Sequence, residues 1–223
     1  MNGPQLNRLI DHTLLRPEAT PDDVRRLCDE AHRFDFFSVC VNTHFVPLAA
    51  ERVAGSGIAV CSIAGFPLGA VDTAVKAFEA GRAVERGAGE IDMVMNVGAL
   101  KAGERGAVRD DISAVVEACG GRAVVKVIIE AALLDDPEIA DACRLSVEAG
   151  AAFVKSSTGF GPPGADPRTI RLMRETVGPD IGVKASAGIR TAAFALELVA
   201  AGASRIGTSA GVQIMSEWMH GGR

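Results

Sequence analysis

Ala152-Phe-Val-Lys155-Ser-Ser-Thr-Gly159 and Gly182-Val-Lys184-Ala-Ser-Ala-Gly188 are two near-parallel phrases. Each is an apolar β-type run that breaks into small hydroxyl residues and glycine. Lysine is depleted in strands and is almost never fully buried without a partner. The same layout, a short Val/Ile-rich run followed by a turn and an Ala/Arg/Glu-rich helical stretch, repeats from end to end. Candidate strands are Leu9–Thr13, Ser38–Asn42, Ala59–Ala64, Glu90–Asn96, Ala123–Glu130, Ala152–Ser157, Gly182–Ser186 and Arg205–Ser209. Helical stretches fall near 22–34, 44–54, 72–87, 106–119, 136–149, 167–177, 191–201 and 210–219. Thr20-Pro21-Asp22-Asp23 and Asp135-Asp136-Pro137-Glu138 place acids and proline at helix starts, and Gly87, Gly150 and Gly202 follow helix ends, as capping physics requires.

Eight βα units in 223 residues, with no linker or composition shift, predict one (β/α)8 TIM barrel spanning residues 1–223 as a single domain. The alternative is an open doubly wound sheet, but no G-x-G-x-x-G follows the first strand. Strand side chains alternate faces. Asp11 and Thr13 therefore share a face. So do Ser38, Cys40 and Asn42; Glu90, Asp92, Val94 and Asn96; Lys126, Ile128 and Glu130; Phe153, Lys155 and Ser157; and Lys184 and Ser186. The opposite, apolar faces must pack against helices, so the polar ones point into the barrel. Barrel interiors are ordinarily filled with branched aliphatics. This one is expected to hold Asp11, Asp92, Glu130, Lys126, Lys155 and Lys184. Buried ion pairs contribute little stability, so such a concentration points to chemistry.

Composition narrows the function classes. Apolar residues make up 48% of the chain and mean hydropathy is +0.21, so the chain can bury a large core. With nine Phe, one Trp and no Tyr, that core is built from Ala, Val, Ile and Leu. A net charge of −5 argues against a nucleic-acid surface. No uncharged run reaches the roughly 18 residues a membrane span needs. Five cysteines with no C-x-x-C pair fit a reducing compartment better than a disulfide framework or zinc site. The first residues lack a signal-peptide layout, and a cytoplasmic location is expected.

Lys155 and Lys184 are the leading candidates. Two buried amines a few ångströms apart disfavour double protonation, and a neutral amine is a nucleophile for Schiff-base formation. The bland alternative makes each a structural lysine paired to a barrel acid. Asp92 could move protons through water or merely pair with a lysine. Three turns follow late strands: Ser157-Thr158-Gly159, Ser186-Ala187-Gly188-Ile189-Arg190 and Gly207-Thr208-Ser209-Ala210-Gly211. The last two lie where this fold often binds phosphate through backbone N–H groups; otherwise the glycines only end strands. Cys40 reads as a quiet core thiol. His12 falls on the outer face, and the four histidines share no metal-ligand spacing, so no metal site is expected. Acids on 22–34 and 79–85 read as solvated faces.

Taken together, Asp11-His-Thr-Leu-Leu, Ser38-Val-Cys-Val-Asn42, Gly65-Phe-Pro-Leu-Gly69, Glu90-Ile-Asp-Met-Val-Met-Asn96, Lys126-Val-Ile-Ile-Glu130, Phe153-Val-Lys-Ser-Ser-Thr-Gly-Phe160 and Gly182-Val-Lys-Ala-Ser-Ala-Gly-Ile-Arg190 resemble the deoxyribose-phosphate aldolase family. The resemblance runs in order from about residue 8 to 211. It implies a metal-free and cofactor-free class I aldolase that cleaves 2-deoxy-D-ribose 5-phosphate to glyceraldehyde 3-phosphate and acetaldehyde. It also implies Lys155 as Schiff-base lysine, Lys184 as the lysine that lowers its pKa, and Asp92 as proton-relay acid. Substrate and phosphate contacts are expected from Asp11, Thr13, Cys40, Lys126, Thr158, Gly159, Ala187, Gly188, Gly207 and Ser209. Partners are small sugar phosphates and aldehydes, with a homodimer within expectation. The chain departs from the family pattern in two places: Ala187 stands where a glycine is usual, and no tyrosine ends the chain. The rival readings are a related Schiff-base aldolase acting on another sugar phosphate and a catalytically silent phosphosugar-binding barrel.

Overall fold

The computed structural model describes residues 5–161 and 164–221. Expectations about the first four residues and the last two lie outside the described residues. Eight parallel strands close into a barrel in sequence order: β1 Ile10–Leu14, β2 Ser38–Val41, β3 Ala59–Ala64, β4 Glu90–Val94, β5 Val124–Ile128, β6 Phe153–Lys155, β7 Gly182–Ser186 and β8 Arg205–Thr208. The helices are α1 Pro21–Phe34, α2 Val46–Arg52, α3 Thr73–Glu85, α4 Val97–Lys101, α5 Arg105–Cys119, α6 Asp136–Glu148, α7 Pro167–Val177, α8 Ala192–Ala200 and α9 Gly211–Gly221. The (β/α)8 expectation holds.

Local chemistry explains the boundaries. Thr20 and Asp135 each form a reciprocal capping box at the starts of α1 and α6, with proline in the first turn. Gly87, Gly150 and Gly202 have φ of 112°, 87° and 116°, the positive values that free the chain from a helix end. The apolar strand faces, such as Val39 and Val41, Ile91 and Met93, and Val125 and Val127, are fully or nearly buried in one continuous core against the helices. No helix among the described residues is long and apolar enough to cross a membrane.

Several expected boundaries move. β5 stops at Ile128 rather than Glu130, because Glu130 adopts φ 48°, ψ 58° and turns out of the sheet. β4 stops at Val94, and Asn96 instead caps α4 by accepting a hydrogen bond from the Ala99 N–H at 3.0 Å. α4 itself was not expected; five residues are too few to show a helical period. Two acids read as solvated also have specific partners. Glu30 contacts His12 at 2.7 Å, and Glu79 accepts the Gly65 N–H at 2.9 Å.

Candidate active site

Strand register stacks the interior charges in layers. Asp92 on β4 lies opposite Lys126 on β5, and Lys155 on β6 lies opposite Lys184 on β7. All four are buried, Lys155 being 3% exposed and the others 0%. Asp92 is the hub. Its Oδ2 accepts from Lys155 Nζ and Lys184 Nζ, both at 2.7 Å. Its Oδ1 accepts from Lys126 Nζ at 2.8 Å and from the Cys61 thiol at 3.2 Å. Lys184 Nζ also meets Asp11 Oδ2 at 2.5 Å. Gly207 makes this arrangement possible, since a Cβ there would lie 2.9 Å from Lys184 Cε.

A second layer was only half legible. Glu90 joins from β4, with Oε2 2.8 Å from Lys126 Nζ. Arg205, from β8, donates to Asp11 Oδ1 at 2.8 Å and to Glu90 at 3.2 Å. Its guanidinium carbon lies 3.4 Å from the centroid of the Phe37 ring, which supplies cation–π stabilisation. Alternation places Arg205 on the inner wall opposite Ile206, so the signal was present in the eighth strand. Glu130, expected inside, is instead outside this cluster and bonds to Thr158. The left-handed turn at its backbone rotates it out of the strand period.

Electrostatics follow from these contacts. Burial alone would raise the Asp92 carboxyl, but the Lys126, Lys155 and Lys184 ammoniums outweigh it and hold Asp92 well below the usual carboxylate range. Burial would also deprotonate Lys184, yet Asp11 and Asp92 carry it above its ordinary value. Lys126 is likewise raised against burial, by Asp92 first among its neighbours. Burial raises the Cys61 thiol. With every group ionised, Asp11, Glu90 and Asp92 oppose Lys126, Lys155, Lys184 and Arg205, three negative charges against four positive, so the cluster carries one net positive charge.

Above this floor opens a cavity of about 390 Å³ at the carboxyl ends of the strands. Of the cluster, Lys155 lines it, as do Thr13, Thr158, Gly159, Ala187, Gly188, Gly207 and Ser209. Asp11, Cys40, Lys126, Lys184 and Asp92 are not part of the wall and sit behind or beneath it. Cys40 packs with Leu15, Cys61 and Ile63. Arg16, Phe160 and Arg190 also line the cavity and were not among the candidates. The backbone N–H groups of Gly188 and Ser209 have no hydrogen-bond partner among the described residues, the condition for an anion-binding turn. Ala187 has φ 75°, so the position where glycine is usual does demand the left-handed region. The Sγ atoms of Cys40 and Cys61 and a carboxylate oxygen of Asp92 lie within 4.8 Å of one another. Lys126 Nζ already stands 3.3 Å from Cys61 Sγ and 2.8 Å from Asp92 Oδ1, an ammonium beside the place where a cation would bind.

The sequence matches the DeoC/LacD family aldolase description over residues 7–217. The chain belongs to that aldolase family. It is 56% identical over 212 residues to the deoxyribose-phosphate aldolase of Enterococcus faecalis, covering 95% of this chain and 96% of the relative. It is 54% identical over 210 residues to that of Clostridium novyi, covering 94% and 95%. Among solved structures, the tetrameric deoxyribose phosphate aldolase from Aeropyrum pernix superposes with a TM-score of 0.91 at 37% identity, covering 98% of this chain and 93% of that one.

Proposed function

We propose that the chain, read as one catalytic domain, is a cytoplasmic class I aldolase that reversibly cleaves 2-deoxy-D-ribose 5-phosphate to D-glyceraldehyde 3-phosphate and acetaldehyde. One observation carries the reading: Lys155 and Lys184 share a single Asp92 oxygen at 2.7 Å, and of these three only Lys155 reaches the cavity. The amine open to substrate is the one whose neutral form serves as nucleophile. Lys184, held protonated between Asp11 and Asp92, acts as a fixed cation beside it.

Neutral Lys155 Nζ adds to the aldehyde carbon of the open-chain sugar, and loss of water gives an iminium. The iminium withdraws the electrons of the bond between the second and third carbons. That bond breaks as the third-carbon hydroxyl loses its proton to a water held by Asp92 and Lys184, and glyceraldehyde 3-phosphate departs. The enamine left on Lys155 takes a proton at carbon two, and water hydrolyses the resulting iminium to acetaldehyde and free amine. The substrate phosphate is read by the unpartnered N–H groups of the turns at Gly188 and Ser209, with Arg16 and Arg190 on the rim.

Self-association accompanies this reading. Leu68, Val71, Val75 and Phe78 are 78%, 43%, 52% and 70% exposed and follow one another along the loop into α3, an apolar strip suited to a second copy of the chain. Light scattering on a Phe78→Glu variant reads it: a wild-type dimer that becomes monomeric supports the strip, and an unchanged mass refutes it.

Borohydride reduction in the presence of acetaldehyde, followed by peptide mass mapping, tests the reaction. The expected result is an ethyl adduct on Lys155. An adduct elsewhere, or normal turnover by Lys155→Ala, overturns the assignment.

A further inference from the structure

Glu130 is a buried carboxylate that the proposed reaction does not use. It is 5% exposed and pairs with no Lys or Arg among the described residues. A buried, unpaired charge is costly unless hydrogen bonds replace water. Here two donors do so through three contacts, all from one residue of the β6–α7 turn. The Thr158 N–H reaches Oε1 at 3.2 Å and Oε2 at 3.3 Å, and the Thr158 hydroxyl donates to Oε2 at 2.5 Å. The Thr158 oxygen in turn accepts the Phe160 N–H at 3.1 Å. Gly161 lies close enough that a Cβ there would sit 3.6 Å from Oε2. The Glu130 backbone is held at φ 48°, ψ 58°, a conformation non-glycine residues adopt only when the surroundings enforce it.

A turn of small residues with its donors converging on one point is an anion cradle. In this chain the cradle is already filled, by a carboxylate of the protein itself. We propose that Glu130 is a positioning residue: the built-in anion of the β6–α7 turn, which locks Thr158, Gly159 and Phe160 as the cavity wall beside Lys155. The inference deepens the proposed function and rests on it. Both donors of Thr158 are engaged by Glu130, while the adjacent Gly159 N–H, like those of Gly188 and Ser209, has no hydrogen-bond partner among the described residues.

The test separates wall positioning from chemistry at Lys155. Trapping by acetaldehyde and borohydride needs only the amine and a two-carbon aldehyde. Cleavage of 2-deoxyribose 5-phosphate also needs the wall and the phosphate turns. In Glu130→Ala, KM for 2-deoxyribose 5-phosphate is expected to rise about ten-fold, the order expected when buried donors lose their acceptor, while the acetaldehyde trapping rate stays within about two-fold. Glu130→Gln keeps one acceptor oxygen and should fall between Glu130→Ala and wild type. Thr158→Val should raise KM in the same direction, Thr158→Ser should restore it, and the Glu130→Ala/Thr158→Val double variant should be no worse than Glu130→Ala alone. If Glu130→Ala does not fold, the Thr158→Val and Thr158→Ser pair reads the same contact. An unchanged KM in Glu130→Ala or Thr158→Val overturns the inference. So does a trapping rate that falls in parallel with kcat. Wild-type protein that neither traps acetaldehyde nor cleaves the sugar phosphate overturns the functional reading itself, and is distinct from an active wild type indifferent to these substitutions.

Discussion

Asp92→Asn is the sharpest single perturbation of this interior. It preserves shape and removes one negative charge from the point where Lys126, Lys155 and Lys184 converge at 2.8, 2.7 and 2.7 Å. At those separations each contact carries about 6 kcal/mol of Coulomb attraction at an effective dielectric of about 20. Most of that is already offset by the desolvation of the groups involved. Breaking a buried pair by removing one partner leaves a net loss of about 3–5 kcal/mol. The substitution raises the fully ionised cluster from one net positive charge to two, so the loss should sit at or above the upper end near neutral pH.

The sign of its pH dependence follows from the lysines. In the wild type, Lys126 and Lys184 are held above their ordinary values, so their contribution is fully present below about 10.5 and is lost as pH rises further. In the variant Lys184 keeps Asp11 and Lys126 keeps Glu90, but both lose the Asp92 contact while burial and like charge, which favour the neutral form, remain. The variant therefore gains stability as pH rises toward 10, and the difference between the two proteins narrows. Urea denaturation at pH 7 and pH 9.5 measures it. Turnover should fall about 10²–10⁴-fold, the usual scale for losing a proton-transfer group, while acetaldehyde trapping on Lys155 persists. A stability loss under about 1 kcal/mol, or turnover within about three-fold of wild type, would refute the view of Asp92 as the electrostatic hub.

Two further predictions concern positions away from that hub. Ala187→Gly removes a left-handed strain of about 1–2 kcal/mol at φ 75° and adds about 0.5–1 kcal/mol of backbone entropy cost. Thermal stability should therefore change by no more than a few degrees, while KM for the phosphorylated sugar falls as the turn approaches the ligand more freely. A rise in KM would show instead that the Ala187 methyl orients the turn. His12 is 2% exposed, and burial lowers its pKa below 6.5 against the pull of Glu30. The unfolded chain then binds the extra proton first, so stability should fall as pH drops below about 6.5. His12→Gln should flatten that slope in denaturation curves between pH 7 and pH 5; an unaltered slope would assign it to other groups.

What could be read in the sequence and what could not divide along physical lines. Period-two alternation placed Asp11, Asp92, Lys126, Lys155 and Lys184 on one wall, and barrel closure brought β1 beside β8, so Asp11 and Lys184 meet despite their distance in the chain. Arg205 was equally readable but was overlooked, because it opens its strand and a terminal arginine resembles a solvated one. Glu130 could not be read this way. Alternation assumes an extended backbone, and the assumption fails where a non-glycine residue turns left-handed. The donors that make this turn tolerable come from the loop after a different strand. The buried Lys76–Asp111 pair at 2.6 Å, joining α3 to α5, is hidden for a related reason, since a lysine on an amphipathic helix looks exposed until its partner helix is placed.

The two errors share a cause that bears on the chemistry. Local pattern predicts where a side chain points, but not which charges it will meet after closure. Counting only the charges assigned to the interior from pattern, three acids and three bases, gives a balanced cluster. Removing Glu130 and adding Glu90 and Arg205 leaves three acids facing four bases. The overlooked arginine, stacked on Phe37, therefore decides the net charge of the layer from which Lys155 faces the cavity.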